Sequence, residues 1–186
     1  MVPARLGAVL TAVRSIYTGG RILASAARNA WPQAVIKGID QSSATAVGSF
    51  PTTLDNDQEL YLPVSASTSY LFCCYLDYEG DDDTRPNGGI DYAWIVPSGA
   101  TMRFQSIGRT FGGGTTVKTT QTDTTKYQLG STGSGNLMAA LMFGTLVTGT
   151  AAGTLQFTWT TYEMTMFRPE TIVHAQSFLA LWQVSP

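Results

Sequence analysis

Between Thr154 and Tyr162 the side chains alternate: Leu155, Phe157 and Trp159 take one parity, Thr154, Gln156, Thr158 and Thr160 the other. Successive side chains of a strand leave opposite faces of a sheet. This run therefore specifies a half-buried β-strand, apolar inside and threonine-rich outside. The same pattern recurs from about residue 50 to the end of the sequence. Almost nothing in it has the character of reaction chemistry, which favours a shell or binding module over an enzyme.

The remaining strands follow from the same reading. Glu59–Val64 turns Leu60, Leu62 and Val64 inward, and Pro63 points to an edge position because proline cannot donate to a ladder. Tyr70–Tyr78 is the longest run. Tyr70, Phe72, Cys74, Leu76 and Tyr78 share one face, Leu71, Cys73 and Tyr75 the other, and both sides are expected to be covered. Glu79–Gly89 is rich in Asp, Pro, Asn and Gly and reads as a turn. Ile90–Val96 places Ile90, Tyr92, Trp94 and Val96 inward, and Pro97-Ser98-Gly99 reverses the chain before Met102 and Phe104. Gly112–Thr125 reads as a loop or protruding hairpin, and Tyr127–Leu129 as a short strand. Leu137–Val147 is apolar without clean parity, which suits a strand buried on both faces. Thr171–Val173 and Ser177–Val184 finish the sheet, with Phe178, Ala180, Trp182 and Val184 aligned. About eight short strands, with turns every ten residues or so, describe a mainly β fold, an antiparallel β-sandwich or jelly roll.

Residues 1–40 differ from this body. Pro3 suits a first helical turn, and Leu6, Val9, Leu10, Val13 and Tyr17 recur at helical spacing before Gly19-Gly20. A second short helical stretch is expected over Arg21–Asn29, after which Trp31-Pro32 turns the chain outward. Arg5, Arg14, Arg21, Arg28 and Lys37 all precede the first acid, Asp40. The expectation is a basic, partly helical arm over 1–40, a linker over 41–49 and a β-sandwich domain over 50–186. Neither helix is long enough to stand alone, so the arm needs a surface to lie on. Its basic face is too sparse for a membrane surface. No apolar run approaches the roughly 20 residues that span a bilayer, and the N-terminus does not read as a targeting signal. Charged residues make up 13% of the chain, about half the ordinary share, so hydroxyls and glycine cover its surface. A net charge of −2 provides no field toward nucleic acid.

The candidates for chemistry are few. Cys73 and Cys74 are adjacent, leave a strand on opposite faces and read as small buried hydrophobes. His174 is the single histidine, with no G-x-S-x-G elbow in the chain, and reads as structural. Asp55, Asp57 and Glu59 offer paired carboxylates for a glycosidase, though acids in turn-like stretches are ordinarily solvated. Asp77, Glu79, Asp81, Asp82, Asp83 and Asn87 supply many oxygens for a calcium ion, without the glycine and closing glutamate of an EF-hand. Gly112-Gly113-Gly114 lacks a following GK[ST] and reads as a turn. No cofactor is expected.

Several segments together resemble a family. Thr53-Leu54-Asp55-Asn56-Asp57-Gln58-Glu59-Leu60, Leu62-Pro63-Val64 and Tyr70-Leu71-Phe72 resemble a pattern of tailed-bacteriophage virion proteins. Val96-Pro97-Ser98-Gly99-Ala100-Thr101 resembles that family's VPxGAT turn. Gly144–Thr148 and Gly153–Trp159 resemble its paired late strands, and Ser177-Phe178-Leu179 with Trp182 its closing strand. The match spans about residues 50–184, and departs at Thr160-Thr161, where Ala-Gln is the family's pattern. The resemblance implies a surface β-sandwich of phages infecting actinobacteria, among decoration, head-fibre or minor tail proteins, and implies no catalytic residue.

The leading expectation is thus a non-enzymatic capsid decoration protein on the virion surface, trimeric, partnered by the major capsid protein or other virion proteins. Its docking arm would comprise Arg5, Leu6, Val9, Leu10, Val13, Arg14, Tyr17, Arg21, Arg28 and Trp31. A minor tail or fibre protein contacting host glycans is the alternative, and a carbohydrate hydrolase using Asp55, Asp57 or Glu59 the third.

Overall fold

The structure, a computed structural model, describes residues 32–44, 53–80, 89–110, 114–122, 125–133, 135–162 and 170–185. Among them the regular elements are all strands: β1 (Gln33–Ile36), β2 (Gln41–Ala44), β3 (Asp55–Val64), β4 (Ser69–Gly80), β5 (Gly89–Ile95), β6 (Thr101–Arg109), β7 (Thr115–Thr122), β8 (Tyr127–Gly130), β9 (Met138–Val147), β10 (Gly153–Thr161), β11 (Glu170–Val173) and β12 (Phe178–Ser185). An eight-stranded sheet runs β1-β12-β4-β9-β6-β7, with β11 also on β4 and β2 on β11. A four-stranded sheet runs β3-β10-β5-β8. Every pairing is antiparallel. No helix among the described residues is long and apolar enough to cross a membrane.

The two sheets share one core, built by the alternation. Leu60, Leu62 and Val64 of β3, the even-numbered residues from Tyr70 to Tyr78 of β4, and Leu155, Phe157 and Trp159 of β10 are all buried in it. Its centre is a set of rings contributed by both sheets. Trp94 of β5 meets Phe157 of β10 at 5.1 Å and Phe72 of β4 at 5.4 Å, both edge to face. Phe104 of β6 meets Phe72 at 6.0 Å and Tyr127 at 5.6 Å. Each such pair adds about 0.5–1.5 kcal/mol beyond burial, and the edge-to-face geometry sets how the sheets face one another. The turn before β6 closes through Ala100 N donating to Pro97 O at 3.0 Å, with Gly99 at φ +75°, a conformation that favours glycine.

Several expectations change. β3 begins at Asp55 and β4 runs through Gly80, so Asp55, Asp57 and Glu79 join Glu59 and Asp77 on strands and do not sit in turns. Residues 33–36 and 41–44, expected as arm and linker, are strands joined to β12 and β11. With β7 they raise the strand number among the described residues to twelve. The threonine face of β10 is not open throughout: Thr158 and Thr160 are buried, as is Thr161 on the inner parity with Trp159. At that end of the strand β10 meets Ser43 of β2 and Thr171 of β11. Thr160 Oγ1 lies 3.3 Å from Ser43 Oγ, Thr161 Oγ1 donates to Ser43 O, and Thr171 N donates to Thr161 Oγ1. The helical stretches expected within 1–31, Asp81–Asp83, Asn87 and Gly112-Gly113 lie outside the described residues.

Gly144 of β9 pairs with Phe104 where two backbones approach closely. A Cβ there would collide with the Arg103 carbonyl and lie 2.6 Å from Phe104 Cα. Gly144→Ala is expected to cost about 3 kcal/mol, since the neighbour is backbone and cannot swing aside; urea denaturation measures it. Burial also pushes the Cys74 thiol well above the ordinary thiol range and the Tyr78 phenol above the ordinary phenol range, with Tyr92 adding to the latter. The folded chain keeps both protons where the unfolded chain releases them. Stability is therefore full below the unfolded-state values, about 8.5 and about 10, and falls as pH rises past them. Thermal melts from pH 8 to 11 should show that fall, with a shallower slope in Cys74→Ala.

Candidate docking surface

The alternation that fills the core also decides what the larger sheet shows on its other side. With Phe72, Cys74 and Leu76 inward, Leu71, Cys73 and Tyr75 of β4 must point out. Cross-strand register extends them into rows. One row runs Ile36 (β1), Phe178 (β12), Tyr75 (β4), Leu141 (β9) and Ile107 (β6). The next runs Ala34, Ala180, Cys73 and Phe143 and ends at Gln105. Trp182, Leu71 and Val147 continue the apolar surface toward the other end. The rings of Tyr75 and Phe178 stack at 5.8 Å and 20°. Five strands at the usual spacing make the first row about 20 Å wide.

This face is partly open among the described residues: Ala180 is buried and Leu71, Cys73, Tyr75, Leu141, Phe178 and Trp182 are half-buried. Phe143 is 38% exposed, Ile36 45% and Val147 46%. β4 and β9, expected to be covered on both sides, are thus fully buried on one only. Their lack of polar alternation is explained by an apolar outer face. Polar groups edge it: Arg103, Gln105 and Thr145 beside β6, and Asp77, Glu79, His174 and Asp40 at the β2–β11 end. An apolar centre with a polar rim is the anatomy of an association surface.

One corner of the face is held by an interruption in two neighbouring strand lines. β1 and β2 line up along β12 and β11, and both lines break together, at residues 37–40 and 174–177. Lys37 N donates to Ser177 O and Gln176 N to Lys37 O, each at 2.8 Å, with Gln176 at φ +76°. The break turns Lys37 inward. Its Nζ lies 3.1 Å from both carboxylate oxygens of Asp57, which is also buried. Asp57 Oδ1 accepts from Glu59 N and Leu60 N, and Oδ2 from Trp159 Nε1 at 3.0 Å. Glu59 Oε2 accepts from Gly38 N and Ile39 N. The pair ties β1, the edge of the larger sheet, to β3 and β10 of the smaller. Asp57 and Glu59 are therefore committed to the fold.

His174 sits on the outer side of the same break. Its Nδ1 is 3.5 Å from Asp40 Oδ2 and its Nε2 is 3.8 Å from Glu79 Oε2. A hydrogen bond from Ala175 N, aided by His174, holds the Asp40 carboxyl below its usual range. Burial pushes Asp77 up, opposed by His174 and reinforced by Asp40. Ser177 Oγ bonds the backbone N–H and C=O of Asp77. Of the calcium candidates, Asp77 and Glu79 lie in this cluster, and Glu79 also accepts from Gly135 N. Asp81 and Asp83 lie outside the described residues, among which no group of three or more His, Cys, Asp or Glu could hold a metal. The expected arm residues Arg5, Leu6, Val9, Leu10, Val13, Arg14, Tyr17, Arg21, Arg28 and Trp31 likewise lie outside them.

The removal of one partner from the buried pair leaves the other charged and dry. Lys37→Met is expected to cost about 3–5 kcal/mol and Lys37→Met/Asp57→Asn less than the sum of the singles. A double-mutant cycle by urea denaturation measures the coupling.

No protein-family model matches the chain. No curated protein matches it. Among solved structures, it is similar to one of infectious bursal disease virus, Gt strain, at 8% identity and TM-score 0.22, over 82% of this chain and 41% of that one. A structure of the Gx strain gives 14% identity and TM-score 0.24, over 83% and 41%. The chain thus spans about two fifths of those proteins. These neighbours say nothing of a tailed-phage family.

Proposed function

We propose that this chain is a non-enzymatic structural protein of a tailed-phage virion, a decoration protein that docks on the capsid through the outer face of its larger sheet. The observation that carries the reading is that face. The sandwich already has a closed aromatic core, yet it presents Ile36, Phe143, Val147 and the stacked Tyr75–Phe178 pair outward. Burying such side chains against a partner contributes about 1.5–3 kcal/mol each when fully removed from water. The order of motifs resembling virion proteins supports the choice of partner. The basic segment with Arg5, Arg14, Arg21 and Arg28 precedes β1 at the margin of the same sheet and adds contacts to acidic shell residues. A homotrimer would multiply each weak contact by avidity.

The test is association with purified particles. The full chain should co-sediment with capsids, and Phe143→Asp/Val147→Asp should remain in the supernatant with an unchanged melting temperature. Removal of residues 1–31, which stops short of β1 and of Lys37, should weaken binding without unfolding the body. Equal co-sedimentation of the charged double variant would remove the face from the reading.

A further inference from the structure

The smaller sheet has an outer face too, directed away from the larger one because the core lies between them. Toward one end it is closed: Thr158 and Thr160 are buried. The other end is open, and its chemistry is different. Tyr61 of β3, Gln156 of β10 and Ile95 of β5 form one cross-strand row. Tyr61 is 49% exposed and Ile95 52%. With Asn56 and Thr154 they line a shallow depression of about 380 Å³.

The depression is built by an irregularity. Register between β3 and β10 shifts between Gln156 and Thr158, so that Gln156 opposes Tyr61 while Thr158 opposes Asn56. The extra length of β3 carries Asn56 to the margin of the hollow. Gln156 Nε2 donates to Asp57 O at 2.9 Å and to Phe157 O at 2.8 Å. Both donors of that amide are used, its rotamer is set by the backbone, and its carbonyl oxygen is the group left to accept from a ligand.

The lining offers an aromatic ring, an aliphatic wall, two carboxamides and a hydroxyl, with no carboxylate, ammonium or guanidinium. A sugar ring matches that set. Its C–H faces lie against a tyrosine ring and an isoleucine, and its hydroxyls bond amides that accept and donate. A nucleotide would bring a phosphate for which the lining holds no cation. The volume is at the small end of ligand pockets, enough for one or two rings. We propose that this depression binds a neutral saccharide, with Tyr61 as the stacking platform and Asn56, Thr154 and Gln156 as hydroxyl partners. The proposal is independent of capsid docking, which uses the opposite face.

The experiment is saturation-transfer NMR on the full chain with glucose, galactose, mannose, arabinose and N-acetylglucosamine and their disaccharides. A shallow neutral site implies weak binding, with a Kd on the order of 1 mM. At least one of these probes should give transfer. Tyr61→Ala should lower affinity at least tenfold, Tyr61→Phe should retain it within about threefold, and Phe143→Asp on the other face should leave it unchanged. Equal melting temperatures for all three variants keep the comparison interpretable. Absence of transfer from every probe, or equal transfer with Tyr61→Ala, overturns the proposal. Particle co-sedimentation of Tyr61→Ala separates its failure from failure of the docking reading.

Discussion

Trp94 stands between the sheets against Phe72 and Phe104 of the larger one and Phe157 of its own. The described strands are arranged around that interlock. Rings that meet edge to face cannot slide past one another without losing both contact area and their preferred geometry. They set the relative position of β4, β5, β6 and β10, and antiparallel register then carries that position outward to every other strand. Because strand side chains alternate, choosing the inner set chooses the outer set as well. The apolar row from Ile36 to Ile107 and the amide-lined depression at Gln156 are both consequences of the same core.

The Lys37–Asp57 pair does a different job. A buried ion pair costs desolvation that its attraction only roughly offsets, so its worth lies in what it specifies. Asp57 is satisfied by Lys37, two backbone amides and the Trp159 indole. Lys37 Nζ also donates to Gln41 Oε1 at 3.2 Å. The pair therefore defines where the β1–β2 line breaks and holds β1 against β12. That places Ile36 beside Phe178, and a four-residue strand that packing alone would hold weakly becomes part of the outer face.

The body's strands are legible in the sequence wherever period two is uninterrupted. Leu60, Phe72, Tyr92, Phe104 and Leu155 are buried as the alternation requires. Legibility fails at two kinds of place. Asp57 lies on the wrong parity for burial beside Leu60, and only the bulge in β3 turns it inward, where a lysine twenty residues earlier meets it. β1 and β2 are too short and too mixed, QAVI and QSSA, to give any periodic signal. They are strands because β12 and β11 offer edges. The outer face was half visible. The unpunctuated apolar run of Leu137–Val147 announces that both sides of β9 are apolar, but sequence alone cannot distinguish a covered face from one that awaits a partner. The depression at Tyr61 left no signal, since it is made of residues that read as ordinary strand exteriors.

The two outer faces differ in kind. That of the larger sheet is broad and apolar with charge confined to its rim, and association there draws on the hydrophobic effect, which is strong in total and poorly directional. That of the smaller sheet is narrow and set with oriented amides, which suits weak, geometrically selective contacts with a hydrated ligand. A sandwich cannot present both to the same partner, because its core lies between them. On the proposed reading the broad face goes to the particle, where many copies and slow release are useful. The amide-lined hollow then points to the medium, where weak binding gains strength from the number of copies displayed. The asymmetry is held by the register of β4 and β10 against the shared rings: a one-residue slip in either strand would exchange inner and outer sets and destroy the core together with both surfaces.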